Sequence, residues 1–95
     1  MRYNVDICDM TRRIPSKDEL KNDDAAFLEK LAKRIKDLRI KAGYTSYETF
    51  AYEAGISRTM YGNYENGSDM RTTNLRKIAK AHNMTLKEFF SEGFD

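Results

Sequence analysis

The sequence predicts an all-α, compact five-helix domain preceded by a short N-terminal extension with a possible strand. Three observations carry that prediction. After residue 24 apolar side chains recur three or four positions apart, which is the period of a helix with one buried face. The periodic stretches open near Ser, Thr, Asn or Asp, the residues that cap helices, and break at Gly or Asn-Gly. One proline and five glycines in 95 residues argue against a loop-rich or sandwich architecture, while 34% charged residues suits solvated helix faces.

The first helix is the clearest. From Ala25 to Ala42 the residues Phe27, Leu28, Leu31, Ile35, Leu38 and Ala42 fall at helical spacing among Lys, Arg, Asp and Glu. Asn22 and Asp23 stand as caps before it, and Gly43 stops it. Ser46 caps a short second helix running to about Ala54, where Gly55 breaks the chain. Ser57 then caps a third helix, which begins at Arg58 and ends at Asn66-Gly67. Thr72 or Thr73 opens a fourth that carries Leu75, Ile78, Ala79 and His82. Thr85 and Glu88 have the spacing of a capping box, with Leu86, Phe89 and Phe90 as the apolar face of a fifth.

The chain divides into an extension over 1–21 and a helical domain over 22–95. In the extension Tyr3, Val5 and Ile7 alternate with Asn4 and Asp6, a weak signal for a short strand. Pro15 interrupts, and Ser16 with Glu19 can cap a helical turn leading towards the first helix. A lone strand is not stable in water, so this segment can pair across a dimer, fold back on the body, or remain an arm.

Size and composition bound the rest. The length suits one small core with a stability margin of a few kcal/mol. A single cysteine, Cys8, cannot form an internal disulfide, and the opening residues carry charges unlike a secretory leader. No apolar run approaches the roughly 20 residues that span a bilayer, so a soluble, cytoplasmic protein with no membrane contact is expected. Net charge is only +2, but residues 30–80 hold eleven basic side chains against five acidic ones, and both flanks are acidic. That distribution fits a polyanionic partner for the middle of the chain, and fits plain solvated helices equally well.

Residues 46–67, SYETFAYEAGISRTMYGNYENG, carry the functional reading. Two helices crossing steeply over a tight turn need a small residue at the crossing, a turn residue tolerant of positive φ, and apolar side chains facing back from the second helix. Ala51, Gly55 and the Tyr61/Tyr64 pair meet those needs, and Phe50, Ala54 and Ile56 complete the buried face. Counted from Tyr47 as position one, Ala falls at five, Gly at nine and an apolar residue at fifteen.

This segment resembles the helix-turn-helix of lambda-repressor-like, Xre-type (Cro/C1-type) DNA-binding domains. The likeness extends to the preceding LAKRIKDLRIKAG and the following LRKIAKAHNMTLKEFF, covering about residues 27–90. It implies double-stranded DNA as partner, transcription regulation (as a repressor) as function, and a homodimer placing two third helices in successive major grooves about 34 Å apart. Two residues depart from the family pattern. Tyr47 stands where Gln is usual, and Tyr61 replaces an aliphatic residue, so its hydroxyl needs a partner or solvent.

Position along the third helix implies base contacts from Arg58, Thr59, Met60 and Asn63. The chemistry suits: Arg donates twice to guanine, Asn pairs with adenine, and Thr or Met touches a thymine methyl. Phosphate contacts are expected from Ser46 at the amide end of the second helix, from Tyr47 through its hydroxyl, and from Asn66, Ser68 and Arg71 after the third helix. Gly62, inside that helix, costs stability relative to Ala; it marks either close backbone approach to DNA or a partner, or a tolerated weak point.

An enzyme is not expected. His82 is the lone histidine and lies among apolar neighbours, Cys8 has no companion, and no phosphate-cradling glycine loop is present. No cofactor or metal site is indicated. Two rival functions remain: an antitoxin that autoregulates through the same motif and holds a toxin as protein partner, and a protein-interaction module that has lost DNA affinity. For the dimer contact the candidates are residues 1–21 and the cluster Phe89, Phe90 and Phe94.

Overall fold

The structure, a computed structural model, describes residues 14–94; the strand expected at Tyr3–Ile7, and most of the segment offered as a dimer arm, lie outside them. Five helices follow in order: α1 (Lys17–Lys41), α2 (Tyr47–Ala54), α3 (Arg58–Glu65), α4 (Thr72–Ala81) and α5 (Leu86–Phe89). The expected all-α, five-helix architecture is what the chain adopts, with no strand among the described residues.

The first helix starts earlier than its apolar period suggests. Ser16, not Asn22 or Asp23, is its N-cap: the Ser16 hydroxyl accepts from the Glu19 amide at 3.2 Å. Asn22 and Asp23 are exposed interior residues of the helix, which runs through the expected division after residue 21. The reason is local. Nothing between Ser16 and Lys41 breaks a helix, and Asp18 and Glu19 in the first turn complement its positive end. Burial nevertheless begins only with half-buried Leu28 and is complete at Leu31, so the first turns project beyond the core.

The core gathers Leu31, Ile35 and Leu38 from α1, Phe50 and Ala51 from α2, Ile56 from the turn, Tyr61 and Tyr64 from α3, Ile78 and Ala79 from α4, and Phe89 from α5. Each large apolar side chain fully buried there stabilises the fold by about 1.5–3 kcal/mol relative to exposure. Phe50 is the hub. Its ring lies 5.1 Å from Tyr61, 5.3 Å edge-on from Tyr44 and 4.8 Å from the near-parallel ring of His82.

Two basic residues of the supposed surface stripe belong inside. Arg34 donates through Nε to the Phe89 carbonyl at 2.9 Å and through Nη2 to that of Glu88 at 3.3 Å, tying α1 to the end of α5. Arg39 donates to Glu65 through Nε at 2.7 Å and Nη2 at 3.2 Å, and through Nη1 to the Tyr44 carbonyl at 2.7 Å. The Arg39 guanidinium is held even more firmly in its charged form, first by that hydrogen-bonded Glu65 carboxylate.

At the C-terminal end the capping box forms as expected. The Glu88 amide donates to Thr85 Oγ1 at 3.1 Å and the Thr85 amide to Glu88 Oε1 at 2.9 Å. Phe89 is fully buried and so is core, not available surface; Phe90 and Leu86 stay partly exposed, and Phe94 packs 5.7 Å from Phe27.

Candidate nucleic-acid interface

The helix pair is built as the close-crossing requirement demands. Ala51 is completely buried, and Gly55 ends α2 in the left-handed region at φ 75°, where a Cβ would be strained. The reversal is closed by the Ile56 amide donating to the Ala51 carbonyl at 2.9 Å. Ile56 drops into the core, and Ser57 caps α3 by accepting from the Met60 amide at 3.3 Å.

One side of α3 is thereby fastened. Tyr61 is fully buried and Tyr64 nearly so, and Tyr64 Oη accepts from Asn74 Nδ2 of α4 at 2.8 Å. The Tyr61 hydroxyl lies beside Glu65 and Arg39 without a well-formed hydrogen bond; burial first, then the Glu65 carboxylate, pushes it far from ionising. The opposite side is open. Arg58, Thr59, Met60 and Asn63 are all exposed, so four side chains expected to read bases sit together on the outward face of α3.

The residues expected on phosphate surround that face. Asn66 caps the C-terminal end of α3, Ser68 follows in the loop, and Arg71 occupies the N-cap of α4, all three exposed. Arg71 makes no side-chain cap hydrogen bond, since a guanidinium can only donate. At the other edge the Ser46 hydroxyl is engaged: it accepts from the Thr49 amide and donates to Glu48 Oε1 at 3.1 Å. Tyr47, 38% exposed, stacks on Tyr61 with ring centroids 6.5 Å apart, and among the described residues no hydrogen bond holds its hydroxyl.

Two features of the site were hidden in the sequence. Thr49 and Tyr52 of α2 join Arg58 around a hollow of about 500 Å³, and Tyr52 is 86% exposed beside the start of α3. Only its place one step beyond buried Ala51 hinted at an outward ring. The second is the neighbour of Gly62 within the fold, the ring of Tyr47. A Cβ at residue 62 would stand 2.9 Å from Tyr47 Cε1.

Comparison with known proteins agrees with this geometry. A family described as helix-turn-helix matches residues 35–89, from the second half of α1 through α5. The chain belongs to the helix-turn-helix family of the Cro/C1, Xre-like type. It is 37% identical over 60 residues to Control protein C.MunI of Mycoplasma sp, an alignment covering 62% of this chain and 81% of that protein. No solved structure gives a significant match. Membership makes this a DNA-binding protein of the transcription-regulator class and points to a non-enzymatic role. No helix among the described residues is long and apolar enough to cross a membrane.

Proposed function

We propose that the protein is a sequence-specific repressor that binds double-stranded DNA as a homodimer and inserts α3 into the major groove. One observation carries the reading: α3 buries Tyr61 and Tyr64 while exposing Arg58, Thr59, Met60 and Asn63 together. A helix fastened on one side and bristling with base-complementary groups on the other is the geometry that major-groove reading needs. Arg58 supplies a bidentate donor and Asn63 a paired donor and acceptor, and Thr59 and Met60 the apolar touch. Tyr47, Asn66, Ser68 and Arg71 flank them as backbone contacts, with the α2 amide end behind Ser46 completing the phosphate clamp.

A dimer is proposed because a single module buries too little surface for tight specific binding. Exposed Leu86 and Phe90, with Phe27 and Phe94 beside them, provide apolar surface for such a contact. The similarity to a protein named as a control protein supports a regulatory role without specifying its sign.

Selection of bound duplexes from a random pool, followed by shift assays across a salt series, tests the proposal. A two-fold symmetric site is expected, with affinity falling steeply as salt rises. Failure to retain any duplex at low salt would sink it, and would favour a module that binds only protein.

A further inference from the structure

The glycine inside α3 has a specific neighbour. Gly62 is half-buried, and a Cβ built on it would meet Tyr47 Cε1 at 2.9 Å, Cζ at 3.3 Å and Oη at 3.5 Å. The hydroxyl end of the Tyr47 ring therefore lies directly over the α3 backbone. Tyr61, one residue before Gly62, stacks against the same ring at 25° between planes. The phenol is seated between an aromatic wall and a notch with no side chain.

That seat opens onto the reading face. Tyr47, Thr59, Gly62, Asn63 and Asn66 together line a hollow of about 250 Å³, so a side chain rooted on α2 reaches across to the residues proposed to touch DNA from α3. No other residue than glycine leaves this room: the Tyr47 ring would have to move by several tenths of an ångström for even an alanine to fit. The colliding atoms are the far end of a flexible side chain, so the ring, not the helix, would yield.

We infer that Gly62 is a positioning residue for DNA recognition: it seats the Tyr47 ring so that the phenol hydroxyl is presented beside Thr59 and Asn63 as a backbone-contacting donor. Tyr47 and Gly62 act as one unit, the helix-weakening glycine leaving the space that the ring occupies. The inference rests on the proposed role of Tyr47 at the phosphate chain.

The test is a double-mutant cycle on a duplex selected by the full-length protein, read by fluorescence anisotropy, with thermal melting of each variant. Gly62→Ala is expected to bind several-fold to tenfold more weakly while melting no lower than the parent, because Ala favours a helix over Gly. Tyr47→Phe, which keeps the ring and removes the hydroxyl, should lose a similar factor. In the Tyr47→Ala background, adding Gly62→Ala should change affinity no further, since no ring remains to displace. Undiminished binding by Gly62→Ala alone, or losses that multiply in the double variant, would overturn the positioning role. If Tyr47→Phe and Tyr47→Ala both bind like the parent, the Tyr47 contact itself is wrong and the inference falls with it. Selection that returns no duplex would instead overturn the DNA reading as a whole.

Discussion

Arg39 and Glu65 form a two-pronged ion pair that joins the last turns of α1 and α3, with Nε–Oε2 2.7 Å and Nη2–Oε1 3.2 Å. The side chains are only 7% and 10% exposed, and the third guanidinium arm holds the Tyr44 carbonyl of the α1–α2 connection. The pair thus sets where α3 ends relative to the rest of the domain. Removing one partner leaves the other charged and buried, so Arg39→Ala or Glu65→Ala should each cost about 3 kcal/mol or more. Replacing both by Met and Leu should cost less than either single change. Urea unfolding of the four proteins checks this; single losses below about 0.5 kcal/mol would show the pair to be idle.

Base reading and backbone holding predict different behaviour from two arginines of the interface. Arg58→Ala should reduce discrimination between the selected site and its single-base variants by about 1–3 kcal/mol. Arg71→Ala should weaken all sequences alike and lower the slope of log affinity against log salt by about 1. Binding titrations on matched and mismatched duplexes separate the two. Equal losses on every duplex for Arg58→Ala would remove it from base reading.

The Asn74–Tyr64 hydrogen bond pins α3 to α4 across a buried contact of 2.8 Å. Tyr64→Phe deletes the acceptor and strands the amide of Asn74, at an expected cost of about 1–3 kcal/mol. Thermal melting should show it as a fall of several degrees, and Asn74→Leu added to Tyr64→Phe should recover part of it.

Ala51 has no room to grow. It is completely buried where α2 crosses α3, so Ala51→Leu should overpack the crossing by about 1–3 kcal/mol and reset the tilt of α3. A DNA-affinity loss exceeding the unfolded fraction, measured by circular dichroism on the same sample, would be the signature of that tilt.

His82 makes stability fall on acidification. Burial first, and the Arg34 charge second, lower its pKa below the ordinary 6.5, and its buried Nε2 has no hydrogen-bond partner. The unfolded chain therefore takes up a proton before the folded one does. Well above pH 6.5 both states are neutral at this group and it contributes nothing; as pH falls through 6.5 towards the lowered native value the unfolded state is increasingly favoured. Melting temperature should drop between about pH 7.5 and 5.5, and less so in His82→Gln, which cannot titrate. Parallel slopes for parent and variant would show that other groups carry the acid sensitivity.

What the sequence determined by itself was most of what is set within a few residues. The caps at Ser46, Ser57 and Thr85, the left-handed stop at Gly55 and the helical spacing of Leu31, Ile35 and Leu38 all act between positions at most four or so apart. The outward set on α3 followed from the same period once Tyr61 and Tyr64 were taken as inward-facing. The start of α1 was missed because Ser16 and Glu19 cap a stretch without apolar periodicity, so the cap signal stood without the pattern that normally accompanies it. Tertiary structure alone decided which charges go inside: Arg34 finds carbonyls 54 and 55 positions away and Arg39 a carboxylate 26 away. It alone also laid Tyr47 over Gly62. Such contacts depend on how separate helices meet, and a side chain's pairing energy across that gap leaves no periodic trace along the chain.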